Sequence, residues 1–150
     1  MEMMHYGRQT CISCHSEEIL PLILVDQDGI PPGQKGHELV YSHLMVLLCQ
    51  TCGSGQVERL DHDCFDFEDV WDWYEWYVLD SSDMSQMRMI LEACPHPLSP
   101  HCTCSIHNAL RSVCGTLPKS GWSSGGEDAL HVHRVFLEVS EGLPKLALKS

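Results

Sequence analysis

Apolar residues in this chain come in short dense runs broken by turn formers, and they adopt helical spacing in only a few places. Residues 18–25 and 38–48 are β-rich apolar runs on either side of a Gly- and Pro-dense stretch, residues 28–36, which predicts two strands folded back as a hairpin. Gly53-Ser54-Gly55 then turns the chain, and residues 56–60 predict a third strand. Residues 73–79 carry β-forming side chains on both parities, predicting a further strand preceded by a helical turn at 67–70. Met84, Met87, Ile90 and Leu91 recur at helical spacing, with an N-cap within Ser81-Ser82-Asp83 and a stop at Pro95. A second helix follows, capped by Ser105, with Ile106, Ala109, Leu110 and Val113 on one face and an end at Cys114-Gly115. In residues 131–139 Val135, Leu137 and Val139 alternate with Arg134 and Glu138, predicting a closing strand.

These elements predict an α+β fold, an antiparallel sheet with two short helices, in a single domain over residues 1–142. Its β part is residues 1–66, and residues 67–142 hold an acidic aromatic segment, the helices and the closing strand. Residues 119–128, rich in Gly and Ser, read as a mobile connection, and 143–150 as a tail.

Cysteine placement adds the chemistry. Cys11-Ile12-Ser13-Cys14 precedes the predicted hairpin and Cys49-Gln50-Thr51-Cys52 closes it. Each CxxC turn puts its sulfurs on one side of a tight loop, and folding the strands back brings the turns together as the thiolates of one tetrahedral site. Redox CxxC motifs come singly at a helix N-terminus after a strand, so this doubled arrangement points to metal. Cys11, Cys14, Cys49, Cys52 and the following Gly53 resemble the ligand pattern of zinc-ribbon proteins. That resemblance implies a metal-clamped β-structure in which zinc has no catalytic duty. The first knuckle departs from it by carrying His15 where the second has Gly53, and the flanks lack the basic residues common in ribbons that bind nucleic acid.

A second constellation, Cys94, Cys102, Cys104 and His107, lies in a proline-held loop that enters a helix and predicts a second zinc site. Cys102 and Cys104, two apart in extended chain, face the same side, and His107 falls on the first helical turn. His96 and His101 are alternative ligands, and a site with only three protein groups would be open to catalysis. Cys64 and Cys114 are expected as unligated core residues, and His62, His131 and His133 as solvent-facing strand-end histidines.

Charge decides between partner classes. The net charge of −12, with nine scattered Lys and Arg, argues against a phosphate-tracking surface. Residues 61–83 contain no Lys or Arg, and here acids alternate with aromatics. Trp71, Trp73, Trp76, Asp69, Asp72 and Glu75 are therefore candidate contacts for a basic protein partner, the rings as anchors and the carboxylates as steering charge. The alternative is that the rings pack inward behind a solvated acidic face.

The chain shows no nucleophile elbow, phosphate loop, dinucleotide fingerprint or HExxH. It also shows no signal-like N-terminus and no apolar run long enough to span a bilayer. The expectation is a cytoplasmic, non-enzymatic, two-zinc protein acting as an interaction module or inhibitor of a basic partner, for example an immunity-type protein. The alternatives are a nucleic-acid-associated zinc-ribbon regulator and a zinc hydrolase with an open second site.

Overall fold

The computed structural model describes residues 10–26, 41–64, 70–114, 116–117 and 131–149, with backbone alone for residues 41, 62–64, 70–72 and 114. Six strands form one curled sheet in chain order, β1 (Ile19–Asp26), β2 (Tyr41–Cys49), β3 (Gly55–Cys64), β4 (Val70–Leu79), β5 (Val132–Ser140) and β6 (Leu143–Leu148). Two helices, α1 (Ser81–Leu91) and α2 (Ser105–Cys114), fall between β4 and β5. The turn expected at 28–36, the helical turn at 67–70 apart from Val70, and the connection at 119–128 lie outside the described residues.

The expected α+β class is not what forms. Among the described residues the molecule is mostly β, with helices of only 11 and 10 residues. Nor is the sheet purely antiparallel, because β4 and β5 pair in parallel through Trp76↔Val132, Tyr77↔His133 and Val78↔Arg134. A parallel neighbour needs a crossover, and the segment carrying both helices supplies it. The expected tail is the other correction, since most of it is β6, joined to β5 by a tight turn at Glu141 (φ 56°) and Gly142 (φ 77°). Positive φ at both central residues matches the twist of the flanking strands, and Ser140↔Leu143 closes the hairpin.

Strand alternation sends one set of side chains to the helices. Val25, Val46, Val57, Tyr77, Leu79, Val135, Leu137 and Leu146 line that face, and Met84, Met87 and Leu91 of α1 and Ile106, Leu110 and Val113 of α2 pack on it. Leu110 is fully buried, so truncating it to Ala should cost about 2–5 kcal/mol. Val139, expected on the same face as Val135 and Leu137, is 41% exposed near the hairpin turn. A Cβ at Gly55 would sit 2.1 Å from Sδ of the buried Met84, so that side chain would have to move to admit one. Helix α1 starts one residue earlier than expected, Asp80 acting as N-cap by accepting the Asp83 N–H at 2.8 Å. The opposite face of the sheet buries a smaller cluster of Leu24, Met45 and Leu47.

Candidate metal centres

The two CxxC turns are built alike. His15 N–H donates to Cys11 O and Gly53 N–H to Cys49 O, both at 2.9 Å, and Cys11 and Cys49 N–H donate to Ser16 O and Ser54 O at 2.8 and 2.9 Å. The residue after the second cysteine takes a left-handed conformation in both, φ 67° at His15 and 79° at Gly53. Glycine adopts it freely, whereas an L side chain costs about 1–2 kcal/mol, so the first knuckle is the strained copy. Ile12 N–H to Gln56 Oε1 (2.9 Å), Gln50 N–H to Glu18 O (2.8 Å) and the hydroxyls of Ser16 and Thr51 (2.7 Å) tie the knuckles together.

The four sulfurs converge as a result. Cys11 and Cys52 Sγ are 3.7 Å apart and Cys14 and Cys49 Sγ 3.6 Å, with all four within 4.8 Å of one another. A disulfide needs about 2.05 Å. A tetrahedral ion with metal–sulfur bonds of about 2.3 Å has sulfur–sulfur edges of about 3.8 Å, which these distances match. Cys11 and Cys49 are buried, while Cys14 and Cys52 reach the surface.

Three of the four thiols are shifted in acidity. Burial opposes the Cys11 thiolate, but the Ser54 hydroxyl and the Cys14 and Ser13 amides outweigh it and bring the thiol down from 9.0 to about 6. The Ser16 amide favours the Cys14 thiolate, yet burial and the sulfurs of Cys49, Cys52 and Cys11 prevail and push it up to about 12. Cys52 is lowered, chiefly by the Ser54 hydroxyl 3.0 Å from its sulfur. The Cys11 and Cys52 thiolates are thus favoured while Cys14 keeps its proton, and a divalent ion would allow all four to ionise.

The second centre is local. Cys94 follows α1, Cys102 and Cys104 come from the loop, and His107 is on the first turn of α2. Cys94 Sγ lies 3.9 Å from Cys102 Sγ, 3.4 Å from Cys104 Sγ and 3.3 Å from His107 Nδ1, and Cys104 Sγ is also 3.3 Å from Nδ1. The partner of the other ring nitrogen fixes the tautomer. Nε2 is 3.0 Å from Leu24 O, which can only accept, so Nε2 carries the hydrogen and Nδ1 turns its lone pair to the sulfurs. Burial, against the weaker effect of that carbonyl, lowers the His107 pKa and keeps the ring in its neutral, ligating form.

Cys104, not Ser105, caps α2. The Asn108 N–H donates to Cys104 O at 3.0 Å, and the His107 N–H reaches Cys104 Sγ at 3.3 Å. Burial works against this thiolate, but the His107 amide and the Cys94 and Cys102 thiols overcome it and lower its pKa. Cys94 is pushed up to about 12, first by burial and then, against the His96 amide, by the neighbouring thiols. The alternative ligands are placed elsewhere, His96 exposed and His101 with its Nδ1 3.6 Å from Asp26 Oδ2.

The candidate docking residues separate by burial. Trp73 and Trp76 are 2% and 5% exposed and Glu75 is fully buried, Trp76 Nε1 donating to Glu58 Oε2 and Trp73 Nε1 to Glu75 Oε1, each at 3.1 Å. Trp71 and Asp72 are described by backbone only, within β4, and Asp69 lies outside the described residues. Cys64 and Cys114 likewise have only their backbones described, at the ends of β3 and α2.

A cluster not foreseen from sequence sits where β4 meets β5. His133 Nε2 is 2.8 Å from Glu75 Oε2, its ring stacks on Tyr77 at 5.2 Å, and buried His131 stacks on Trp73 at 4.6 Å. The expected solvent-facing histidines at 131 and 133 are therefore seam residues. The i, i+2 spacing of both pairs, His131/His133 and Trp73/Glu75, was the available signal.

Comparison with protein-family models, curated proteins and solved structures finds no match to this chain. Among the described residues no helix is long and apolar enough to cross a membrane.

Proposed function

We propose that the protein is a non-enzymatic zinc protein of a reducing, cytoplasmic setting, in which two structural zinc ions shape a sheet that engages a basic protein partner. The observation that carries this reading is the pair of convergent four-ligand sets, one of four thiols and one of three thiols and an imidazole. Thiolate-rich tetrahedral sites select zinc over the oxygen-seeking divalent ions, and four protein ligands leave no position for a reacting water. That closure favours a structural role over a hydrolase.

The net charge of −12 supports a basic partner and would steer its approach. With Trp73, Trp76 and Glu75 occupied in packing, Asp69, Trp71 and Asp72 remain as the anchors to test. An immunity-type inhibitor of a basic toxin is one instance of such a module.

Elemental mass spectrometry of the purified chain should find two zinc ions per molecule. A partner recovered from the source cells should bind more weakly as salt rises, and Asp69→Lys with Asp72→Lys should weaken it further. Binding indifferent to salt and to both substitutions would rule out the electrostatic module.

A further inference from the structure

We propose that the metal at Cys94, Cys102, Cys104 and His107 latches a cover over the free edge of β1, and that its loss turns this edge into a pairing surface for a second copy of the chain. The inference rests on the reading that this ligand set holds a metal. Among the described residues strand β1 ends the sheet, so one side of it has no strand neighbour there. In antiparallel pairing both backbone groups of alternate residues face the same side, and at Leu24 and Asp26 they face outward.

All four of these groups are taken by the segment that builds the second centre. Leu24 N–H donates to Pro97 O and Asp26 N–H to Pro100 O, both at 2.9 Å. Leu24 O accepts from His107 Nε2 at 3.0 Å and Asp26 O from Arg111 Nε at 2.8 Å. The cover is not a strand, because proline offers a carbonyl but no N–H, and side chains from α2 supply the donors instead. His107 is at once ligand and latch, with Nδ1 toward the metal set and Nε2 on β1. The covering loop runs between Cys94 and Cys102, so the ion would close its two ends.

Beneath the cover lies an adhesive edge. Residues 19–25 contain no charged side chain, and an uncovered apolar edge of this kind is a template for another strand. A second β1 fits it by symmetry. Two copies placed antiparallel about Val25, with Leu24 of each opposite Asp26 of the other, would satisfy on both chains the same four groups that the loop and α2 now satisfy. Pro21 limits such a ladder to the outer half of the strand.

The test compares the zinc-loaded full-length chain with Cys104→Ser and with Cys104→Ser combined with Leu24→Pro. Zinc content and mass by sedimentation velocity are measured for each, with amide exchange at Asp26 in all three and at Leu24 in the two that keep leucine there. Cys104→Ser should lose one zinc ion, double its mass as concentration rises and, when dilute, exchange the two amides at least about 10-fold faster. Leu24→Pro removes an outward N–H while leaving Ile23 and Val25 paired with β2, and should restore the wild-type mass. A variant that loses one zinc ion yet keeps wild-type mass and exchange overturns the latch. A variant with undiminished zinc refutes the metal site itself, which separates the two failures. Arg111→Met, which retains every ligand, covers the case in which Cys104→Ser does not fold. With zinc content unchanged it should speed Asp26 exchange about 10-fold, and wild-type exchange there would also overturn the latch.

Discussion

Cys14 and Cys49, with sulfurs 3.6 Å apart, are separated by 35 residues of chain, whereas Cys94 and Cys104, 3.4 Å apart, are separated by 10. Holding the longer loop closed removes more freedom from the unfolded chain, by about 1 kcal/mol on loop-closure grounds alone. What each centre joins matters more. A metal in the first would fasten the entry of β1 to the β2–β3 turn, between strands whose register frames the core. A metal in the second would fasten a loop and a helix start that hydrogen-bond to one edge. Long-range ligation is therefore expected to govern whether the sheet forms, and local ligation how its border is finished.

Replacing a ligand in the first centre should have the largest effect. Cys49→Ser, at a position 2% exposed, is expected to cost more than about 4 kcal/mol in urea unfolding with zinc present. His107→Ala should cost less, about 2–3 kcal/mol, through loss of a ligand and of its bond to Leu24 O. If the two losses are equal, or reversed, the contrast between the centres fails.

The pH response of the metal-free protein should be smaller. Cys11 is lowered from 9.0 to about 6, so between those values the unfolded chain holds a proton the folded one has released. Stability should therefore rise from about pH 6 to 9 and be lost on acidification through that window. Cys14 and Cys94, pushed up to about 12, act oppositely, since the folded chain keeps protons the unfolded one gives up. Stability should decline above about pH 9 toward 12, and saturating zinc should abolish that decline, because bound thiolates carry no proton. Urea midpoints across the range, with and without zinc, check both limbs.

The smallest effects separate the two knuckles. Gly53→Ala forces a side chain into φ 79° and places its Cβ 3.3 Å from Ser81 Cβ, so it should destabilise by about 1–2 kcal/mol. His15→Gly relieves the same strain and should stabilise by up to about 1 kcal/mol, readable as a shift in urea midpoint. A His15→Gly protein that is less stable would mean that His15 makes a compensating contact.

The eight residues that converge as two sets able to hold a metal were legible in the sequence, because short spacings, CxxC twice and CxCxxH once, are converted by local geometry into convergence. The first three strands and both helices followed from periodicity for the same reason. The sixth strand did not, because Glu141-Gly142 is not the usual Asn-Gly or Asp-Gly signal and Pro144 argues against a strand unless it lies on an edge. The parallel seam between β4 and β5 depends on where a long crossover returns, which no window of sequence contains.

Burial of acids was hidden for another reason. Only the register of β3 and β4 places Glu58 beside Trp76, whose indole N–H donates to it. The helix caps fell one residue before the expected ones, at Asp80 and Cys104, because Ser is as good a cap as Asp and a thiol is not ordinarily counted as one.

The most direct test of the account is titration of the reduced, metal-free full-length chain with cobalt(II), followed by absorption. The ligand geometry predicts two equivalents bound, both with tetrahedral, thiolate-rich spectra, and the loss of one equivalent in each of Cys49→Ser and Cys104→Ser. Fewer than two equivalents, or a five- or six-coordinate spectrum at either site, would contradict it.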